Sequence, residues 1–144
     1  MSDVTLTLTA QPSSAELQAI GDGLTAFNAG DVGPADRLAL AVLVRDAAGA
    51  IRGGISGYTA WGWLYVQWLW LDEGLRGQRL AGQMLQLAED EAVRRGCHGA
   101  YIDTFNPVAL KAYQRQGYVA FGSLDDFPKG RARVFLQKPL VGTE

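Results

Sequence analysis

A chain of 144 residues, 48% apolar and 19% charged, has the size and balance of one globular domain with a single core over residues 1–144. A formal net charge of -2 leaves no basic footprint for nucleic acid, and one cysteine (Cys97) with one histidine (His98) excludes a disulfide framework and a structural zinc site. No signal peptide is visible in residues 1–10, and no apolar run nears the roughly 20 residues that span a membrane, so the expectation is a cytoplasmic protein with no membrane partner.

In chain order, Val4, Leu6 and Leu8 alternate with Thr5, Thr7 and Thr9, which predicts a half-buried strand. Pro12-Ser13-Ser14 opens a helix, with Ser13 or Ser14 as cap, Glu16 in the first turn, and Leu17, Ile20, Leu24 and Phe27 as apolar stripe. Gly21 and Gly23 each weaken this helix by about 1 kcal/mol relative to Ala, which predicts a bent or mobile segment. Residues 28–36 read as a loop. Strands over 38–44 and 50–60 flank a hairpin turn at Asp46-Ala47-Ala48-Gly49, and Gly53, Gly54 and Gly57 mark a bulge or a close backbone approach.

Trp61-Gly62 then turns the chain into Leu64 to Leu71, an aromatic and branched run with one polar side chain, Gln67. It reads as the central strand, buried on both faces. Strict alternation puts Trp63, Tyr65 and Gln67 on one face and Trp68 and Trp70 on the other. After a turn at Asp72-Glu73-Gly74, the main helix runs from Gln78 to Arg95. Leu80, Ala81, Met84, Leu85, Ala88, Ala92 and Val93 line its apolar face, Arg79, Gln83, Gln86 and Asp90 its polar one, and Gly96 caps it. Residues 100–105 form a strand, and Asn106-Pro107 caps and opens a short helix that ends at Gly117. Strands over 118–122 and 133–137 close the chain around a polar loop at 123–131. The fold class is α/β (α+β), a mixed, mostly antiparallel sheet with a central parallel βαβ crossover, flanked by helices.

Two stretches carry chemistry. At Arg76-Gly77-Gln78-Arg79-Leu80-Ala81 a small-residue turn feeds a helix, so unpaired backbone N–H groups converge where the helix dipole is positive and favour an anion such as phosphate. Taken alone, the same residues also fit an ordinary turn with a solvated Arg. The second stretch is Asn106-Pro107-Val108-Ala109-Leu110-Lys111-Ala112-Tyr113-Gln114-Arg115-Gln116-Gly117-Tyr118. Taken alone, its Asn106 is a helix cap and its Tyr113 a core aromatic with a wet hydroxyl.

Together the two stretches resemble the GNAT superfamily of acyl-CoA-dependent N-acetyltransferases. Its signature is Arg/Gln-x-x-Gly-x-Gly/Ala after a central strand, then Asn-x-x-Ala-x-x-x-Tyr-x-x-x-Gly-Phe/Tyr after the next. Arg76 to Ala81 meets the first except at Arg79, where the family usually has Gly. Asn106, Ala109, Tyr113, Gly117 and Tyr118 meet the second completely. The resemblance implies acetyl-CoA as acyl donor, with no metal, and an amine of a small molecule or peptide as acceptor. It implies that Arg76, Gly77, Gln78, Arg79, Leu80 and Ala81 hold the CoA pyrophosphate. The pantetheine arm would lie beside Leu69, Trp70 and Leu71, where the central strand splays from the strand at 100–105. A backbone N–H near Trp70 or Leu71 would polarise the thioester carbonyl, Asn106 would bond the arm, and Tyr113 would protonate the leaving thiolate. A phenol of pKa about 10 is protonated at neutral pH and can neutralise a thiolate of conjugate pKa about 8.5.

The acceptor's base is open among Asp103, Asp72, Glu73 and water. His98 reads as a surface residue and Cys97 as a packed thiol. The tryptophans and tyrosines of the central strand are either sheet packing or a pocket for a cationic amine, with Asp125 and Asp126 as possible added charge. A homodimer is compatible with the late strands. The competing reading is a non-catalytic acyl-CoA-binding or sensor module of the same fold. A dinucleotide-binding fold fails, because the glycine-bearing turn follows the central strand and not the first.

Overall fold

The computed structural model describes residues 3–141. These fall into two compact units divided after Ala35.

The first unit contains one helix, α1 (Ser14–Val32). Ser13 caps it: its Oγ accepts from the Glu16 N–H at 3.0 Å, and the Glu16 carboxylate accepts from the Ser13 N–H at 2.8 Å. This reciprocal box satisfies two donors that the helix itself leaves unpaired. The helix runs unbroken through Gly21 and Gly23. It also continues through residues 28–32, which read as loop from sequence, and stops at Gly33 in a positive-φ conformation. Residues 3–9 form no strand. Alternating Leu and Thr favour an extended chain, but a strand exists only with a partner ladder, and the sheet recruits none from this segment.

The second unit is a six-stranded sheet with two helices. Its elements are β1 (Leu38–Arg45), β2 (Ile51–Ala60), β3 (Trp63–Leu71), α2 (Leu80–Arg94), β4 (Gly99–Thr104), α3 (Pro107–Arg115), β5 (Val119–Asp125) and β6 (Ala132–Pro139). Spatial order is β1-β2-β3-β4-β6-β5. Every neighbouring pair is antiparallel except β3 and β4, joined by the α2 crossover. β5 extends to Asp125, so residues 123–125 belong to a strand and not to the loop read from sequence.

Met84, Leu85, Ala88 and Ala92 of α2 and Tyr113 of α3 bury against Leu40, Ile55, Leu64, Val66, Ile102 and Leu136 of the sheet. Both helices therefore cover the same face. The far end of α2 is tied as well: Arg95, just past it, donates to the carbonyls of Leu38 and Ala39 and to Thr59 Oγ1, each at 3.1 Å.

Candidate active site

The site begins with an irregularity in β3. Gly57 of β2 stands opposite Val66, and the preceding Ser56 stands opposite Trp68, so Gln67 is an extra, bulged residue. Gly57 is required there: a Cβ on it would lie 2.0 Å from the Tyr65 carbonyl oxygen. The bulge shifts the alternation by one. Leu64 and Val66 face the core before it, and Leu69 and Leu71 pack against the core after it. Trp68 and Trp70 consequently share a face with Trp63 and Tyr65, against the strict alternation read from sequence. Both are exposed, so β3 is not buried on both faces.

The same bulge coincides with the end of pairing to β4. Val66 opposite Ile102 is the last register pair, although β3 continues to Leu71 and β4 to Thr104. The Asp72 N–H donates to the Arg52 carbonyl at 2.8 Å. Counting back in twos, the backbone groups of Trp70 and Trp68 also face β2. Those of Leu69 and Leu71 face the gap. Of the two residues named for a polarising N–H, Leu71 has the fitting direction and Trp70 does not.

Because β3 and β4 are parallel, their C-terminal ends, the start of α2 and the Asn106 cap lie at one end of the sheet. Arg76 Nε donates to the Leu71 carbonyl at 3.2 Å, tying the turn to the strand end. Gly77 is in the left-handed region at φ 82. The helix starts at Leu80, two residues later than the sequence pattern, and Arg79 is its N-cap at φ 60, ψ 22. That conformation explains why glycine suits this position, and Arg79 follows the glycine path despite its Cβ. Its side chain has no hydrogen-bond or ion-pair partner among the described residues. The first helical hydrogen bond here runs from the Gln83 N–H to the Arg79 carbonyl. The N–H groups of Leu80, Ala81 and Gly82 are left without a side-chain cap or an acidic neighbour in the first turn. The uncapped donors at the helix start thus include Leu80 and Ala81 of the stretch expected from sequence and extend to Gly82.

Asn106 is the N-cap of α3. Its Oδ1 accepts from the N–H groups of Val108 (2.9 Å) and Ala109 (3.1 Å), which leaves its amide N–H₂ free to donate. Tyr113 lies on the inner side of α3 with 4% of its surface exposed. Its hydroxyl bonds to no described residue. Every fully buried side-chain polar atom among the described residues has a partner, so this oxygen must reach an opening. Burial, and secondarily the charge of Asp103, push the phenol up to about 12.

On the opposite face Tyr65 and Tyr101 stack at 4.6 Å, with Tyr58 edge-on to Tyr65 at 5.7 Å. Tyr65 donates to Asp103 Oδ2 at 3.2 Å, and Arg133 donates to Asp103 Oδ1 at 2.8 Å. Asp103, one residue past the last β3–β4 pair, therefore has both oxygens engaged. Arg37 already lies over the Tyr58 ring at 3.7 Å, so this aromatic face holds a guanidinium of the chain itself. Asp72 is ion-paired with Arg52, and Glu73 opens a single 3-10 turn. Asp126 accepts from the Gly130 N–H and shapes a turn. His98 is exposed against Trp63, and Cys97 is buried, with its thiol pushed up by desolvation.

One buried group escaped the sequence reading. Glu89, in the middle of α2, is 3% exposed and bonds Lys138 and Tyr118. The available signal was its place among Leu85, Ala88 and Ala92 on the apolar stripe, where an unpaired carboxylate cannot stay.

Residues 19–118 match the acetyltransferase (GNAT) family. The chain is 45% identical over 121 residues to an acetyltransferase of Agrobacterium fabrum, covering 84% of this chain and 88% of that one. It is 38% identical over 93 residues to the blasticidin-S acetyltransferase of Streptomyces morookaense, covering 64% of this chain and 68% of the relative. A crystal structure from Agrobacterium tumefaciens, described as an acetyltransferase, matches with a TM-score of 0.90 at 40% identity, over 94% of this chain and 99% of the other.

Proposed function

Because this chain belongs to the acetyltransferase (GNAT) family, we propose that it moves an acetyl group from acetyl-CoA to a primary amine by direct attack in a ternary complex. The observation that carries this reading is the unpaired end of β3 and β4, where the Leu69 and Leu71 N–H groups face a gap beside the uncapped start of α2. An extended pantetheine arm fits such a gap as a strand would. The α2 N–H groups, with Arg76 and Arg79, complement a pyrophosphate. The Leu71 N–H and the Asn106 amide are donors suited to the thioester carbonyl and the arm.

In the proposed reaction the amine nitrogen bonds to the acetyl carbon and the carbon–sulfur bond breaks. Sulfur takes the Tyr113 proton, and the amine's surplus proton leaves to water, from which the phenol is restored. Asp103 is not assigned as base, since Tyr65 and Arg133 occupy both its oxygens. The acceptor class is a small-molecule amine, in keeping with a relative named for blasticidin S. The match over 19–118 runs from within α1 through β1 to β4 and α3, which supports reading the chain as one domain. The sensor reading is not favoured, because the relatives are named as acetyltransferases.

The test is calorimetric titration with acetyl-CoA, against desulfo-CoA and NAD as controls. Thiol release is then followed with blasticidin S, spermidine and lysine. Micromolar binding with amine-dependent release is expected. Binding without release from any amine would support a sensor, and no binding at millimolar acetyl-CoA would overturn the reading.

A further inference from the structure

Among the described residues Glu89 is the only charged side chain in the buried core, and three elements converge on it. Lys138 of β6 donates to its Oε1 at 2.5 Å, and the Tyr118 hydroxyl donates to its Oε2 at 2.9 Å. Both partners lead to the C-terminal turn of α3. Lys138 Nζ also donates to the Gln116 carbonyl at 2.8 Å, and the Gln116 amide reaches back to Gln86 of α2 at 3.1 Å. The backbone N–H groups of Gln116 and Tyr118 both donate to the carbonyl of Tyr113, at 3.1 and 3.0 Å. The carbonyl of the proposed acid is thus the end point of two short paths from one buried carboxylate on α2.

From this convergence we infer that Glu89 is a positioning residue for Tyr113. It pins the turn that carries the phenol to α2, whose first turn is the proposed phosphate cradle, and so sets where the proton donor stands relative to the bound thioester. The inference rests on the acetyl-transfer reading above. The arrangement suits the task physically. A charged, fully bonded buried node tolerates little displacement, since any shift leaves a carboxylate or an ammonium without its partner. Apolar packing alone would let α3 slide on α2 at lower cost. Glu89 touches neither the start of α2 nor the gap, so it acts through α3 and not on the donor itself.

A double-mutant cycle between Glu89→Gln and Tyr113→Phe tests this, with acetyl-CoA as donor and the fastest of blasticidin S, spermidine and lysine as acceptor. Glu89→Gln is expected to lower kcat about tenfold or more and leave acetyl-CoA Kd within about twofold, and to cost almost nothing further once Tyr113 is Phe. A Kd that rises in step with the loss of kcat would overturn the inference, as would an undiminished loss in the Tyr113→Phe background or an unchanged kcat. Wild-type turnover by Tyr113→Phe, or no turnover of any amine by the native protein, would instead bring down the acetyl-transfer reading and the inference with it. Should Glu89→Gln fail to fold, Tyr118→Phe removes only the hydroxyl bond to Glu89. The same non-additivity with Tyr113→Phe is expected, and additive losses would count against it.

Discussion

Val66 and Ile102 are the last residues of β3 and β4 to face each other in register, and the next residue of β3, Gln67, is the bulge. The bulge sits where the parallel ladder ends, turns the Leu69 and Leu71 N–H groups toward the gap and moves Trp68 and Trp70 to the outer face. Gly57 permits it, because a Cβ there would collide with the Tyr65 carbonyl at 2.0 Å. Gly57→Ala is expected to destabilise the protein by about 3 kcal/mol, the upper end for overpacking, since the obstacle is backbone and cannot rotate away. Urea denaturation measures this, and a loss below about 1 kcal/mol would mean that the strands move apart freely.

Arg79 keeps a left-handed backbone at φ 60. Arg79→Gly removes the Cβ penalty of about 1–2 kcal/mol, partly offset by the greater freedom of unfolded glycine. The net expectation is a gain of up to about 1 kcal/mol, with Arg79→Val destabilised instead. On the proposed cradle the same Arg79→Gly change weakens acetyl-CoA about fivefold at low salt and less at high salt, as loss of an exposed cation requires. Calorimetry at two ionic strengths decides; tighter binding would show that the side chain obstructs the donor.

Tyr113→Phe keeps the buried ring and removes the hydroxyl. Turnover is expected to fall about a hundredfold, within the usual range for general acid catalysis, with acetyl-CoA affinity held within about twofold. A kcat unchanged by the substitution would remove Tyr113 from the chemistry.

Alkaline stability follows from the same burial. Tyr113 and Tyr101 are both pushed up to about 12 by desolvation, from an ordinary value of 10.0. Between those values the unfolded chain has released these protons and the folded chain retains them. Their contribution is complete below pH 10 and is lost as pH rises through 12, each tyrosine contributing a slope of roughly -1.4 kcal/mol per pH unit. Denaturation midpoints measured at pH 9, 10 and 11 should stay level to 10 and then fall. Tyr113→Phe should flatten the fall, and a drop that begins at pH 9 would point to another group.

The path from residue 38 to 139 was legible because period, turn chemistry and caps agree along it. Leu38 to Val44, the Asp46–Gly49 turn and Asn106-Pro107 each announce their element locally. Residues 3–9 misled because alternation is only half of a strand, and the partner ladder is not written in the segment. Gln67 stood out as the single polar residue of β3, but its role as a bulge depends on Gly57, ten residues away on the neighbouring strand.

The sequence by itself determined the order of elements from α1 onward, the two motifs and hence the family, since these rest on spacing along the chain. Tertiary structure alone decided which backbone N–H groups face the gap, which face carries Trp68 and Trp70, that Arg79 takes a left-handed conformation, and that Glu89 is buried and paired. The physical reason is common to all four. Each depends on what an atom meets across the sheet or between two helices, and close packing makes such contacts exact to a fraction of an ångström, whereas residue spacing specifies direction only modulo the period of a strand or a helix.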